Sequence, residues 1–458
     1  MGRAATLFSL ICSLAMAAGL AVPISPIRAQ TSDDAVEGCY RENNPDRAID
    51  YCTRAIESVK PPASRLAIFF TNRGNAYNYK DDYDRAIEDF NQAIRNDPNY
   101  AFAFNGLGNS YNGKGDYDSA IQDYDQAIRL IPNYGYAFNG RGNAYNGKGD
   151  YDRAIQDFNQ AIRYTPNYAN AFNGRGNAYS GKHDYDRAIA DYNEAIRINP
   201  NRAYAFNGRG NAYNGRGDYD RAVQDFGEAI RLSPNYAFAF NGRGNAYNDK
   251  GDYDHAIQDY TDAIRLNPDY ADALFNRGNA YNSKGDYDRA IADYDAAIRA
   301  QPNFADAFFN RGFTRFKQGA IAAAVPDFAK SAELAPANRY NILWLYVATA
   351  RTGQNADALL GNAKQVDLVS WPGPILSLFL KKTDRKTLLK VAKDRDAEKE
   401  RDQLCEVHFF LAEYELLAGL QKEAESDFQA AGAACRATIA ESSAAAAELK
   451  LLPHPGNQ

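Results

Sequence analysis

Apolar and small side chains recur along most of this chain with the spacing of two short amphipathic helices. In residues 135–168, one set of such positions follows the i, i+4, i+7 spacing of a helical face, and a second set follows it again after a glycine-rich break. Asp150 can cap the second helix, and Pro166 ends it because proline cannot continue the helical hydrogen-bond ladder. The two sets are Phe138, Gly142 and Tyr145, and then Ala154, Phe158 and Ala161. The pattern predicts a pair of helices.

The same pattern returns every 34 residues, which defines eight full units over residues 67–338. One glycine and one proline in each unit mark the period. These residues are Gly74, Gly108, Gly142, Gly176, Gly210, Gly244, Gly278 and Gly312, and Pro98, Pro132, Pro166, Pro200, Pro234, Pro268, Pro302 and Pro336. Because one helix pair is too small to bury its own apolar stripe, neighbouring pairs must stack and share a core. The predicted fold is all-α, a solenoid of about ten to eleven helix pairs.

The unit resembles the tetratricopeptide repeat (TPR) family. The residues that carry the resemblance are Gly142, Tyr145, Gly149, Tyr151, Ala154, Phe158, Ala161 and Pro166, with equivalents in eight successive units. The chain departs from the family pattern at Arg141 and its equivalents, where the family usually has leucine. The resemblance implies a right-handed solenoid whose first helices line a concave groove that binds peptides or proteins.

The N-terminal residues 1–29 are predicted to be a signal peptide. Arg3 precedes an almost wholly apolar run from Leu7 to Val22, and a plausible cleavage site ends at Ala29. A membrane anchor is the alternative, but the apolar run is short for a bilayer span. Cys12 lacks the small preceding residue that lipid attachment requires. We therefore expect a periplasmic or secreted bacterial protein that does not span the membrane after cleavage.

Segments that keep only part of the repeat pattern flank the full units. Residues 30–66 form a degenerate N-terminal repeat and linker, and residues 339–458 form degenerate repeats and a C-terminal helical cap, with an alanine-rich helix at about 438–451. Four cysteines lie in these two segments. Cys39 and Cys52 occupy the slots held elsewhere by Tyr145 and Phe158, which touch across a helix pair, and Cys405 and Cys435 lie at helix ends that an antiparallel pair brings together. We expect them to pair within each segment, because an exported chain favours disulfides. The predicted disulfides are Cys39 with Cys52 and Cys405 with Cys435.

The C-terminal third also resembles, over about 120 residues, the bacterial envelope TPR lipoprotein that acts as adaptor for peptidoglycan hydrolases and proteases. The residues that carry this second resemblance are Trp371, Phe409-Phe410-Leu411-Ala412-Glu413-Tyr414, Gly419 and Glu448-Leu449. It implies cell-envelope proteins or peptides as partners, with peptidoglycan hydrolases and proteases among them. The chain departs from that family because it lacks a credible lipidation cysteine.

Composition and motifs argue against catalysis and against nucleic-acid binding. The net charge of −6, without a long basic run, does not suit nucleic acid. The segment from Gly142 to Lys148 has phosphate-loop spacing but is followed by Gly149 where serine or threonine would hold magnesium. No histidine pair has metal-ligand spacing, and no nucleophile setting is recognisable. We predict no enzymatic activity, no cofactor and no metal.

A polar column accompanies the core stripe on each first helix, with an aromatic residue at its start. The candidate groove residues are Phe102, Asn105, Asn109, Tyr136, Asn139, Asn143, Asn146, Asn173, Asn177, Tyr204, Asn207, Asn211, Asn214, Phe238, Asn241, Asn245, Phe275 and Phe309. Asparagine amides both donate and accept, so they can pair with the backbone of an extended peptide. Gly140 and its equivalents would let that backbone come close. Where Phe275 and Phe309 replace asparagine, we expect the apolar part of the ligand.

Two other interpretations of this column stay open. The units are near copies of one another, so a solvated polar face copied with them would give the same pattern without any binding role. Alternating aromatics and amides also suit sugars, and a periodic groove suits a periodic polymer, so a glycan such as peptidoglycan is the alternative ligand.

Overall fold

The computed structural model describes residues 32–58, 62–356, 359, 368–436 and 440–452. Within these residues every regular element is a helix and no strand is present, which confirms the predicted all-α solenoid of helix pairs. Contacts divide the chain into two compact units, each of which contains several repeats. From here on, the first unit is residues 1–242 and the second unit is residues 243–458. The predicted signal peptide, residues 1–29, lies outside the described residues.

The helices of the first unit alternate as first and second members of successive pairs. Those contained wholly in this unit are α1 (Ser32–Arg41), α2 (Pro45–Ser58), α3 (Ala63–Tyr79), α4 (Tyr83–Asn96), α5 (Ala101–Lys114), α6 (Tyr117–Leu130), α7 (Gly135–Gly147), α8 (Tyr151–Tyr164), α9 (Ala169–Gly181), α10 (Tyr185–Ile198), α11 (Ala203–Gly215) and α12 (Tyr219–Leu232). The division between the two units falls inside α13 (Ala237–Asp249).

The second unit continues with the same alternation and then becomes irregular. Its helices are α14 (Tyr253–Leu266), α15 (Ala271–Ser283), α16 (Tyr287–Ala300), α17 (Ala305–Lys317), α18 (Ile321–Leu334), α19 (Arg339–Arg351), α20 (Gly373–Phe379), α21 (Arg385–Val391), α22 (Ala397–Leu417), α23 (Gln421–Ala434) and α24 (Ala440–Leu451). None of the described helices is long and apolar enough to cross a membrane.

Local sequence explains why each pair breaks where it does. Gly149 follows α7 with φ of 75°, a left-handed conformation that glycine adopts without steric cost. Asp150 then caps α8, since its carboxylate accepts a hydrogen bond of 3.1 Å from the backbone N–H of Arg153. The same aspartate cap recurs at the start of α4, α6, α10, α12, α14 and α16.

Stacking gives each unit an inner side formed by first helices. In the first unit, α3 contacts α5, α5 contacts α7, α7 contacts α9 and α9 contacts α11; in the second, α15 contacts α17. Successive second helices make few or no such contacts within the described part of the chain. The core between the helices includes the fully buried Ala154, Phe158 and Ala161.

Glycines on the first helices hold consecutive repeats together. A Cβ atom on Gly140 would lie 2.4 Å from the ring of Tyr124 in the preceding repeat, and one on Gly174 would lie 2.5 Å from the ring of Phe158. Our expectation that these glycines admit a ligand backbone is therefore wrong. Their missing side chains make room for an aromatic ring of the neighbouring repeat.

The terminal pairs carry the cysteines. Cys39 on α1 and Cys52 on α2 are disulfide-bonded with a Cα–Cα distance of 4.5 Å. Cys405 on α22 and Cys435 after α23 are bonded with a Cα–Cα distance of 4.8 Å. Each bond joins the two helices of one pair. The final helix, α24, packs against α22 and α23 and also reaches α17.

Candidate ligand-binding face

Aromatic side chains form a continuous exposed row on the first-helix side of the first unit. Successive ring centroids are 5.4, 5.4, 6.1 and 4.9 Å apart. We call this set the aromatic row; it consists of Tyr100, Phe102, Tyr134, Tyr136 and Tyr168. Phe102 is 48% exposed and Tyr136 is 51% exposed. Burial, followed by the neighbouring tyrosines, raises the pKa of Tyr134 to about 12, so its hydroxyl stays neutral.

A second, shorter stretch continues the pattern later in the same unit. Tyr204, Tyr236 and Phe238 have successive ring centroids 5.1 and 5.9 Å apart, and Tyr204 and Phe238 are 51% and 55% exposed. Between the two stretches, Arg202 stands where six of the eight full repeats have tyrosine or phenylalanine, and its guanidinium donates to Asn170.

The predicted asparagine column separates into three kinds of position. One position in each repeat is exposed; we call these residues the exposed amides, and they are Asn109, Asn143, Asn177 and Asn211. A second position is buried or half-buried, and its Oδ1 atom has no donor among the described residues in Asn105, Asn139, Asn173 and Asn207. The third position is half-buried and includes Asn146 and Asn214. Only the first kind is exposed to solvent, and in Asn109 and Asn177 the Oδ1 atom also accepts a hydrogen bond from a tyrosine hydroxyl.

Part of the column stabilises the stack itself. Nδ2 of Asn146 donates 3.0 Å to the carbonyl oxygen of Gly174 in the next repeat. The Tyr192 hydroxyl donates 2.7 Å to Oδ1 of Asn177, whereas Asn143 faces Phe158, which has no hydroxyl. Removing these amides is therefore not expected to have the same effect on stability at every position. Asn177 keeps a buried hydroxyl satisfied, and Asn143 has no such task.

The candidate residues of later repeats are engaged in packing. The ring of Phe275 contacts those of Tyr294 and Phe304 at 5.9 and 4.9 Å, and the ring of Phe309 contacts that of Phe328 at 5.5 Å. Both side chains are half-buried, so they fill space between helices more than they offer a ligand surface. Asn245 likewise accepts hydrogen bonds from Tyr260 and Asn276. Asn241, next to the division between units, is 9% exposed.

A ladder of ion pairs neutralises the arginines of the first helices. Arg175 donates from Nε and Nη2 to the carboxylate of Asp191 at 2.8 and 2.6 Å, and Nη1 donates to Asn159 of the preceding repeat. Equivalent bidentate pairs join Arg73 with Asp89, Arg141 with Asp157, Arg209 with Asp225, Arg243 with Asp259, Arg277 with Asp293 and Arg311 with Asp327. Sequence reasoning missed this ladder, although both partners repeat with the 34-residue period. It explains why arginine replaces the usual leucine.

The second full repeat lacks this pair. Leu107 stands at the arginine position and leaves Asp123 without a guanidinium. Burial alone raises the pKa of Asp123 to about 7.

Apart from the exposed Arg202, the face carries few accessible charges. The helices α7, α9 and α11 each carry one charged residue, an arginine of the ladder already paired with aspartate. In the described part of the chain, no three His, Cys, Asp or Glu side chains are placed to hold a metal ion. What the face can offer a ligand is therefore aromatic surface and amide hydrogen bonds.

Family models match the repeats across most of the array. Models described as tetratricopeptide repeat match residues 71–135, 169–202, 241–303 and 279–339, and a model described as TPR repeat matches residues 142–182 and 210–249. No curated protein matches the chain at a significant level.

Several solved structures are similar to this chain, and the first described below shows the same kind of fold. The Cut9–Hcn1 hetero-tetramer of the APC/C is 16% identical with a TM-score of 0.51, over 69% of this chain and 62% of that chain. A tetratricopeptide repeat protein from Parabacteroides merdae is 21% identical with a TM-score of 0.43, over 52% of this chain and 94% of that one. YrrB, described as a TPR protein with an unusual peptide-binding site, is 26% identical with a TM-score of 0.33, over 41% of this chain and 97% of that chain.

The matched repeats cover more than half of the sequence, and the described residues form the stacked helix pairs that this repeat specifies. The chain belongs to the tetratricopeptide repeat family.

Proposed function

We propose that this protein is a non-catalytic scaffold that binds extended segments of partner proteins along the first-helix face of its first unit. The observation that carries the proposal is the aromatic row, whose half-exposed rings touch one another across three repeats. Contiguous exposed apolar surface of this kind marks interaction sites, and tyrosine is enriched at them. The exposed amides run beside the row and add donors and acceptors for a peptide backbone.

The expected ligand is uncharged where it meets this face. Phe102 and Tyr136 sit at the start of their first helices, and Asn109 and Asn143 lie seven residues later, about 10 Å along each helix axis. A ligand strand crossing the helices would place apolar side chains on the rings and its backbone near the amides. Since the arginines of the ion-pair ladder are paired with aspartates, charge contributes little beyond the single exposed guanidinium of Arg202, and affinity should change little with salt.

We further propose that the protein acts in the bacterial cell envelope. The predicted signal peptide and the disulfide in each terminal helix pair support export. The resemblance of the C-terminal third to an envelope adaptor makes peptidoglycan hydrolases and proteases the first partners to test. Mass spectrometry of the exported protein should find Gln30 at its N-terminus; an intact Met1 would contradict export with cleavage.

The groove is tested with a random peptide library displayed on phage. Wild-type protein should enrich peptides with apolar residues and few charges. The double change Phe102→Ser and Tyr136→Ser should weaken binding of the enriched peptides by about tenfold or more, because buried aromatic anchors contribute most of the energy at interfaces. Tyr79→Ser is the matched control, since Tyr79 is 72% exposed at the opposite end of a first helix.

Glycan is the competing ligand class, because sugar rings also stack on aromatics next to amides. Purified sacculi are tested in parallel with the enriched peptides. Binding to sacculi that the double variant loses, with no peptide enriched by the wild type, would replace the peptide proposal by the glycan one. Equal binding of peptides by wild type and double variant would show that the row is a solvated face without a binding role.

A further inference from the structure

The last described helix covers first helices of the second unit. α24 contacts α17 and α22 as well as α23, which precedes it in the chain. At its end, the Leu451 side chain lies 3.4 Å from the position that a Cβ atom on Gly319, just after α17, would take. Ala444 and Ala445 are fully buried in the apolar core to which α17, α19 and α22 contribute. Here the chain itself occupies the kind of face that is exposed in the first unit.

One end of α24 is held by a single arginine shared between two carboxylates. Nη2 of Arg351 lies 3.2 Å from Oε2 of Glu448, and Nη1 lies 2.7 Å from Oε2 of Glu413 on α22. Glu448 is 1% exposed and Glu413 is completely buried. The second oxygen of each carboxylate has no hydrogen-bond partner among the described residues. Arg351 therefore favours a docked helix that carries a carboxylate at this position, but it leaves one oxygen of that carboxylate without a hydrogen bond.

The other end of α24 buries an acid beside another acid. Glu441 is 4% exposed, and its neighbour Glu406 accepts hydrogen bonds from Tyr340 at 2.9 Å and from Trp371 at 2.8 Å. Burial, then the charge of Glu406, raises the pKa of Glu441 to about 8, against the opposing effect of a hydrogen bond from its own backbone N–H and of one from Trp344. No basic residue in the described part of the chain offsets these two carboxyl groups. Docking α24 therefore opposes ionisation of Glu441.

The larger apolar side chains of α24 lie at its end, where Leu449 and the following Leu452 pack against the core while partly buried. The two fully buried side chains of its middle are alanines, which bury little apolar surface. At 12 residues the helix is also too short to be stable alone in water, so it is ordered by docking. A short helix with small central side chains and incompletely satisfied acids, on a large aromatic core, is suited to exchange with a helix that satisfies the same face more fully.

We propose that the face formed by α17, α19 and α22 is a binding surface for an amphipathic partner helix, and that α24 is its detachable occupant in cis. The partner presents small residues where α24 has Ala444 and Ala445 and a carboxylate where it has Glu448, so that it pairs with Arg351. It carries a neutral residue where α24 has Glu441, which removes the repulsion from Glu406. Such a helix binds more tightly than α24 itself.

The test uses the full chain and two synthetic peptides of residues 440–452, one of native sequence and one with Glu441→Gln. Affinity is measured by fluorescence anisotropy, and release of α24 by hydrogen exchange of its own amides. The Glu441→Gln peptide should bind the wild-type chain about tenfold more tightly than the native peptide, because the native peptide must either take up a proton at Glu441 or bury its charge when it docks. Its binding should accelerate exchange in α24 and leave exchange in α15 unchanged.

The reciprocal variant and a control give the decisive comparison. The substitution Glu441→Gln in the full chain makes its own α24 dock more tightly. Both peptides should therefore bind this variant more weakly than they bind wild type. Arg351→Met should abolish peptide binding by removing the cation that pairs with Glu448. Absence of peptide binding to wild type, or equal binding to the Glu441→Gln chain, overturns the proposal. A dimer that the peptides cannot dissociate would assign the face to a second copy and also overturn it.

Discussion

Replacing Asp123 by asparagine should stabilise the protein at neutral and alkaline pH. In the second repeat Leu107 leaves this half-buried carboxylate without the arginine that its equivalents have, and burial raises its pKa to about 7. Asparagine has nearly the same shape and no charge. The change therefore removes the cost of burying an unpaired carboxylate while keeping the packing of α5 and α6.

The size and the pH dependence follow from the pKa. Raising it from 3.8 to about 7 corresponds to about 4 kcal/mol, at about 1.4 kcal/mol per pH unit. Water reaches the half-buried group and screens it, so we expect Asp123→Asn to add about 1 to 3 kcal/mol at about pH 8. The folded-state pKa lies above the unfolded one, so wild-type stability falls as pH rises from about 4 to about 7. Below about pH 4 Asp123 is protonated in both the folded and the unfolded chain, so Asp123→Asn no longer adds stability.

The assay is urea unfolding followed by circular dichroism at about pH 4 and about pH 8, with hydrogen exchange of α5 and α6 as a local readout. Asp191→Asn is the matched control in the fourth repeat, where Arg175 holds the carboxylate. It should destabilise by about 2 to 3 kcal/mol at pH 8, because it leaves a half-buried guanidinium poorly paired. If Asp123→Asn also destabilises at pH 8, the reasoning about the missing arginine is refuted.

Three further outcomes are expected. Asn177→Ala should lower the free energy of unfolding by about 1 to 2 kcal/mol in a urea titration, because the Tyr192 hydroxyl loses its acceptor. Asn143→Ala should change the free energy of unfolding by less than about 0.5 kcal/mol, because the residue opposite is Phe158. Equal losses in the two variants would contradict this prediction. Gly140→Ala should cost about 1 to 3 kcal/mol in the same assay through its clash with the preceding repeat, and a neutral result would mean that the ring can move. Reduction of the disulfides should lower stability by about 3 to 4 kcal/mol per bond, with faster hydrogen exchange confined to the terminal pairs; unchanged exchange there would argue against it.

The helix pairs could be predicted from the sequence because each local signal agrees with the fold. The spacing of Phe138, Gly142 and Tyr145, the left-handed Gly149 and the capping Asp150 all act within one helix or one turn. Eight copies of the same signals leave no alternative period. The cysteine pairs followed from the same register, since helix positions determine which ends meet.

What the sequence could not predict depends on contacts between repeats. Asn143 and Asn177 occupy the same position, and only the residue opposite, Phe158 or Tyr192, decides which one accepts a hydroxyl. Gly140 looks like an open surface residue until the ring of the neighbouring repeat is placed against it. The position of α24 on α17 joins segments far apart in the chain, and no local periodicity encodes it.

The repeated use of one interface makes the length of this protein an adjustable quantity. Gly140 meets Tyr124, and Gly174 meets Phe158, through the same geometry one period later. Deleting or duplicating any stretch of 34 residues inside the array would bring together two repeat surfaces that already match, wherever in the repeat the stretch begins. Genetic slippage between near-identical units could therefore lengthen or shorten the binding face in single steps, without the repacking that a change of size requires in a globular domain.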